Sequence, residues 1–338
     1  MDGKPYSPKM SCGLTDFSFR VFMYYHYPFF VRRSIHTACK DSELHRHDFP
    51  QLWYCSRGKY LHYVEDKVYS CGEGSLIIIP PGVAHSFEVS KGQSAELFCI
   101  QGTFFFFNKL SELLRTNALT SMFLQNFSKE LGFEVKNAVS FRGDDRRIFE
   151  NALIELSKFN YECAIPDITQ VRKRIEELFS LDFFSFDEKR KKRAEWVIRT
   201  KLEPIFNALL YINQNFNENI TSKQLVKISA MSYSDFFKYF KKVTGVTFSI
   251  YLQMLRLRRA LLYLAFTKYS FDYIATLCGF SNGTYFGRLF KKYYKRTPRE
   301  ERARQKYTKE SNPFIHVTHN SIAQLNIGMK EKTEPNCN

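Results

Sequence analysis

The sequence predicts a two-domain α+β protein, with a strand-rich N-terminal half that carries flanking helices and an all-helical C-terminal third. Three observations carry this: apolar residues alternate with a period of two up to about residue 105, they recur at spacings of three and four after it, and positive charge gathers near the C-terminus. The 338 residues suffice for two cores. With 44% hydrophobic and 25% charged residues and only 15 Gly and 11 Pro, the composition excludes disorder or low complexity for the bulk of the chain. Apolar runs such as Leu76 to Pro81 and Phe104 to Phe107 fall far short of the ~18 residues of a membrane span. Asp2 and Lys4 stand where a secretion signal would need apolar residues, so the expectation is a cytoplasmic protein that engages no membrane. Eight scattered cysteines without a CxxC pair are expected to be reduced thiols, mostly buried.

In the N-terminal half, alternation from His45 to Cys55 places His45, His47, Phe49, Gln51, Trp53 and Cys55 on one face of a regular strand. A second strand is expected around Tyr60 to Val64. A third, Leu76-Ile-Ile-Ile79, ends at Pro80-Pro-Gly82, with His85 behind it. From Lys109 to Phe186 the pattern turns helical, through Leu110, Leu113 and Leu114, then Ile148, Leu153 and Leu156. Its last set, Val171, Ile175, Leu178 and Phe179, suits either a homodimer seam or packing against the sheet. The run Asp187-Glu-Lys-Arg-Lys-Lys-Arg193 has no apolar anchors and reads as a basic linker, residues 187–203, in part helical.

Between Pro204 and Arg302 the spacing is helical throughout. Thr221, with Gln224 three residues on, forms a capping box, Ser232 caps a second helix burying Phe236 and Phe240, and Gly245 ends it. This is a helix-turn-helix. The arrangement recurs about 50 residues later: Ser270 caps one helix, Gly279 makes the turn, and Ser281 caps a helix carrying Phe286 and Phe290. Between the units, Ser249 to Ala265 forms a spacer of roughly 25 Å, a size that sets two reading helices about one turn of B-DNA apart. Residues 201–310 hold 20 basic and 7 acidic side chains, a local excess that fits double-stranded DNA; a face kept basic for solubility is the alternative. The tail, residues 306–338, has little periodicity and is expected to be disordered.

The segment Ile274-Ala-Thr-Leu-Cys-Gly-Phe-Ser-Asn-Gly-Thr-Tyr-Phe-Gly-Arg-Leu-Phe-Lys-Lys292, with Thr297-Pro298 behind it, resembles the signature of the AraC/XylS family of bacterial transcription regulators. Met231-Ser to Gly245 resembles the family's first helix-turn-helix, and Tyr251 to Ala260 its linking helix. Lys295 stands where the family has a glycine. In the N-terminal half, His45-x-His47-x3-Gln51-x6-Gly58 and Gly74-x5-Pro80-x-Gly82-x2-His85 resemble the two cupin motifs. This resemblance implies a jelly-roll β-barrel over about 30–105 with helices over about 109–186, together a sensor and dimerisation domain spanning 1–186, ahead of a DNA-binding domain at 204–305.

The expected function is a sequence-specific, DNA-binding transcription regulator, an activator acting on RNA polymerase, that answers to a small-molecule effector with sugars among the candidates. It is expected not to be an enzyme and to need no cofactor. Helical geometry turns Ser234, Phe237 and Lys238 of the first reading helix toward bases, and Asn282, Gly283, Thr284, Gly287 and Arg288 of the second; a semi-buried Phe237, and Arg288 on a phosphate or a carboxylate of the chain, are the alternatives. Lys241, Lys242, Lys291, Lys292 and Lys295 are expected on phosphates. The effector is expected among His45, His47, Phe49, Gln51, Trp53 and His85. Neutral Gln51 takes the place of the cupin carboxylate, so no metal is expected; a metal-binding cupin enzyme or metal sensor on the three histidines, histidines that only hold the barrel together, and a constitutive DNA binder controlled by a protein partner stay open.

Overall fold

The computed structural model describes residues 29–37, 44–47, 49–102, 123–135, 137–158, 173–174 and 187–311. The chain divides into two compact units, residues 1–210 with 221–251, and residues 211–220 with 252–338.

The first unit is built on antiparallel strands: β1 (Phe29–Thr37), β2 (Gln51–Gly58), β3 (Tyr60–Val64), β4 (Lys67–Cys71), β5 (Ser75–Ile79), β6 (His85–Glu88), β7 (Ser94–Gly102) and β8 (Ala138–Ser140). They form a five-stranded sheet in the order β1-β7-β2-β5-β8 and a three-stranded sheet β4-β3-β6. Leu76, Ile77, Ile78 and Ile79 are all fully buried, which is why β5 reads as a continuous apolar run rather than an alternation. The short β8 lies within the stretch expected to be helical. It pairs Ala138 with Ile77, too few residues for a period to register in sequence.

Helix α1 (Ser128–Leu131) follows a single 3-10 turn, Gln125–Phe127. Helix α2 (Gly143–Lys158) buries Phe149, Ala152, Leu153 and Leu156, while Ile148, expected inward, is 37% exposed. The expected linker is a helix, α3 (Glu188–Val197), capped by the Asp187 carboxylate on the Arg190 N–H. It runs through a π-helical turn, Ile198–Leu202, into α4 (Glu203–Gln214). Buried Ala194, Val197, Ile198 and Leu202 anchor it on the face opposite the charges. The dimer candidates Val171, Ile175, Leu178 and Phe179 lie outside the described residues, as do Cys12, Cys39, Cys163 and Cys337.

The first helix-turn-helix, also in the first unit, is α5 (Ser222–Ser229) and α6 (Tyr233–Thr244). The Thr221–Gln224 capping box and the Ser232 cap are both formed. Gly245 closes α6 at φ +76°. Helix α7 (Phe248–Phe266) leads into the second unit, where α8 (Phe271–Leu277) and α9 (Gly283–Tyr294) form the second helix-turn-helix and α10 (Pro298–Ser311) follows. Helix α10 thus extends into the segment expected to be disordered, and residues 312–338 lie outside the described residues. Within this unit the Arg256 guanidinium donates to the Phe216 and Glu218 carbonyls at 2.7 and 2.8 Å, tying α7 to the turn after α4.

Asn282 rather than Ser281 caps α9: its Oδ1 accepts from the Tyr285 N–H at 2.8 Å. At the other end Lys295 occupies the left-handed region at φ +59°, a conformation that costs a residue with a Cβ about 1–2 kcal/mol. Lys295→Gly is expected to stabilise the second unit by roughly 1 kcal/mol in urea denaturation. An unchanged or lower midpoint would show that the lysine side chain recovers that cost locally.

Candidate nucleic-acid interface and buried histidine cluster

Each helix-turn-helix places one amphipathic helix with two buried phenylalanines four residues apart. In α6, Phe236 and Phe240 are fully buried, Tyr239 is 4% exposed, and Ser234, Lys238 and Lys241 face solvent. Phe237 is half-buried, its ring 4.9 Å from that of Tyr233 and 5.1 Å from that of Phe236. Tyr233, 58% exposed, extends this aromatic edge and was missed by sequence reasoning, although the first-turn position beside Ser234 could have found it. Lys242 is only partly exposed, unlike the other lysines expected on phosphates. Its ammonium sits on the Glu130 carboxylate at 2.5 Å.

In α9, Phe286 and Phe290 are fully buried, while Thr284, Arg288, Lys291, Lys292 and Lys295 are exposed. The Arg288 guanidinium lies 5.5 Å from the Tyr285 ring centre, which orients the fork outward. Asn282 is exposed but spends its carbonyl oxygen on the cap, leaving its amide N–H groups to donate. A Cβ at Gly283 would run into the Asp272 carboxylate, whereas one at Gly287 would meet nothing within 4 Å. Packing inside the chain therefore gives no reason for a glycine at 287.

The sensor-side candidates converge in part. His45 and His85 form an isolated antiparallel bridge, with backbone N–H to carbonyl distances of 3.0 and 2.9 Å. Regular pairing of the strand begins only at Gln51, and Arg46, His47, Phe49 and Pro50 lie outside any strand, so the regular strand expected from His45 onward does not hold there. His47, Gln51 and His85 are nonetheless buried together, and Phe49 stacks on the His47 ring at 4.3 Å. Trp53 stands apart from them, against Phe87 and His62. Its indole N–H is buried without a hydrogen-bond partner among the described residues. Fully buried His62 belongs to the cluster as well; the inward period Tyr60, His62, Val64 was the signal for it.

The distances order the protons when the rings are uncharged. His47 Nδ1 lies 2.9 Å from the Phe49 carbonyl, which only accepts, so this nitrogen carries the hydrogen. His47 Nε2 then accepts from His85 Nε2 at 2.8 Å, His85 Nδ1 from His62 Nε2 at 3.3 Å, and His62 Nδ1 from the Tyr60 hydroxyl at 3.4 Å. Burial holds His62 down to about 3, with the nearby His45 adding to the effect. Burial, with His47, His62 and His45 alongside, likewise holds His85 well below the usual imidazole range. Burial pushes the Cys55 thiol up to about 12 and Cys71 up to about 11, so neither is a thiolate nucleophile.

The donor set also suits a divalent transition ion. Ligand nitrogens of His45, His47 and His85 lie within 4.8 Å of one another, and the Gln51 side-chain oxygen is 2.8 Å from His47 Nε2. The His47 Nδ1–H bond to the Phe49 carbonyl is the kind that orients a ligating imidazole.

Residues 31–125 match a family model described as an AraC-like ligand binding domain, and residues 225–304 match one described as a helix-turn-helix domain. Among curated proteins the chain is similar to the HTH-type transcriptional activator RhaR of Mannheimia succiniciproducens, 27% identical over 77% of this chain and 87% of that one. It is also similar to the activator RhaS of the same organism, 26% identical over 76% and 88%. Among solved structures, unsaturated fatty acid-bound ToxT from Vibrio cholerae aligns at a TM-score of 0.43 and 12% identity, over 81% of this chain and 94% of that one.

Because the folded-state values of His62 and His85 are lowered, the unfolded chain binds more protons below about pH 6.5. Stability is therefore present above that pH and is lost as pH falls toward 3, at up to about 1.4 kcal/mol per pH unit per histidine. Urea unfolding at pH 7 and pH 5 should show this loss, and His62→Phe should reduce its slope; an identical slope in the variant would remove His62 from the account.

Proposed function

From the premise that this chain belongs to the AraC family of DNA-binding transcription regulators, through both its ligand-binding and its helix-turn-helix domains, we propose that it is an effector-controlled activator in which α6 and α9 read successive major grooves. The observation that carries this reading is the repeated construction of the two helices. In each, the buried phenylalanine pair turns a polar and basic stripe outward: Ser234, Lys238 and Lys241 in α6, Thr284, Arg288, Lys291 and Lys292 in α9. Arg288 takes the base-reading role, since a planar fork steadied on an aromatic ring suits the paired acceptors of guanine. The exposed lysines, Lys295 included, take phosphates and supply affinity without sequence choice. Gly287, with open space around it, lets the α9 backbone approach the DNA. The protein acts in the cytoplasm as a homodimer that engages RNA polymerase and performs no catalysis of its own.

The effector reading rests on Trp53, whose buried indole N–H is an unused donor beside aromatic walls. An uncharged ligand with acceptor oxygens and an apolar face, as a sugar has, answers that chemistry. His62 links Trp53 to the other histidines, its ring 6.2 Å from Trp53 and 5.5 Å from His85. A second reading is a metal on His45, His47 and His85, favoured by the convergence of their nitrogens.

Duplexes selected from a random library by the full-length protein supply the cognate site. On that site Arg288→Ala should lose about 1–3 kcal/mol, with little loss on random DNA; equal losses would make it a phosphate contact. Gly287→Ala should stabilise the fold by up to about 1 kcal/mol while weakening cognate binding. Thermal unfolding of metal-analysed protein against sugars and small organic acids separates the two sensor readings. A shift with one chemical class, lost in Trp53→Phe, supports the effector site. One bound metal per chain with no organic shift supports the metal.

A further inference from the structure

The C-terminal end of α6 is held by α1 and the turn before it. A helix leaves its last four carbonyls without partners inside the helix. For α6 one of these is the Lys242 carbonyl, and the Asn126 side-chain amide donates to it at 3.0 Å. The Lys242 ammonium meets the Glu130 carboxylate at 2.5 Å and lies 4.8 Å from the Phe127 ring centre. Phe127, itself fully buried, stacks on Tyr239 at 5.9 Å and 13°. These are not surface ornaments: the Glu130 side chain is 10% exposed and that of Lys242 is 24% exposed. A carboxylate so enclosed is costly to leave without its cation.

A second contact joins the same parts. Gly82, after β5, and Gly245, closing α6, meet backbone to backbone, so that a Cβ on Gly82 would stand 2.5 Å from the Gly245 Cα. Both have positive φ, +79° and +76°. The Gly82 N–H donates to the His47 carbonyl at 2.8 Å, which places the buried histidine cluster one hydrogen bond from this contact.

We propose that Asn126 and Glu130 are positioning residues for DNA binding: they hold the end of the first reading helix against the sensor barrel, and Glu130 keeps Lys242 from a DNA phosphate until the contact opens. The proposal rests on the reading of α6 as a DNA-binding helix. Carboxylate and phosphate compete for the same ammonium, and the pair held by Glu130 weakens its contact with a phosphate. The contact therefore lowers the affinity of the closed form, and a ligand that favours the open form raises it by its difference in affinity for the two.

The test is full-length protein on a random-sequence 40-base-pair duplex, titrated by fluorescence anisotropy across a range of salt. Glu130→Gln should bind several-fold more tightly, with a salt slope steeper by about 0.9, the value for one added phosphate contact. Lys242→Gln should cancel the steeper salt slope in the Glu130→Gln background, because the ammonium that makes the added phosphate contact is gone. Unchanged affinity and slope in Glu130→Gln, or equal weakening by Lys242→Gln in both backgrounds, would overturn the proposal. Asn126→Leu, which removes the amide and keeps the ion pair, should shift affinity in the same direction and serves if Glu130→Gln lacks a cooperative unfolding transition; no shift counts against the proposal. Failure of the unaltered protein and every variant to bind duplex would overturn the DNA reading of α6 itself.

Discussion

Two phenylalanines four residues apart, sealed from water in each reading helix, decide what the rest of that helix presents. Phe236 with Phe240, and Phe286 with Phe290, each face a core made by a neighbouring helix or turn. Phe240 meets Phe248 and Tyr251 edge-on, and Phe286 meets Phe280. Burying a Phe side chain is worth about 1.5–3 kcal/mol, well above what any exposed lysine contributes to folding. The rotation of the helix is thus fixed by its apolar side. The polar stripe inherits its direction from that constraint, which leaves its residues free to be chosen for what they touch.

The same accounting governs the barrel, where the burden falls on polar groups. His47, His62 and His85 are buried with their hydrogen bonds met by one another, by Tyr60 and by the backbone, and the buried Gln51 amide donates to the Cys99 sulfur at 3.1 Å. Such a chain is tolerated in a low-dielectric interior as long as it carries no charge. The Trp53 indole N–H, like the Arg46 Nε–H, is a buried donor without a hydrogen-bond partner among the described residues.

Local signals were the legible part of this sequence. The caps at Thr221, Ser232 and Ser270 and the glycine at 245 depend on residues within a few positions of each other, and each forms as read. The choice between Ser281 and Asn282 as a cap was not legible, because either side chain can serve and the turn geometry decides. Helix α3 was hidden by its charges: seven consecutive polar residues mask anchors that begin only at Ala194. His62 and Glu130 were missed for a different reason. Their partners lie 23 and 112 residues away, and nothing in the local pattern announces such a pairing. The barrel residues at 45, 47, 51 and 85 were found because the motif spacing encodes a three-dimensional convergence that periodicity alone does not.

The meeting of Gly82 and Gly245 bears on how such a regulator can be rebuilt. Sensor and reading domains of this kind invite exchange as interchangeable parts, each with its own core. Here two positions 163 residues apart share one volume that admits no side chain from either. A barrel grafted from another source would have to bring a bare backbone to the same spot, or the first helix-turn-helix would seat differently on it. The joint, rather than either part, sets which chimeras can inherit regulation along with binding.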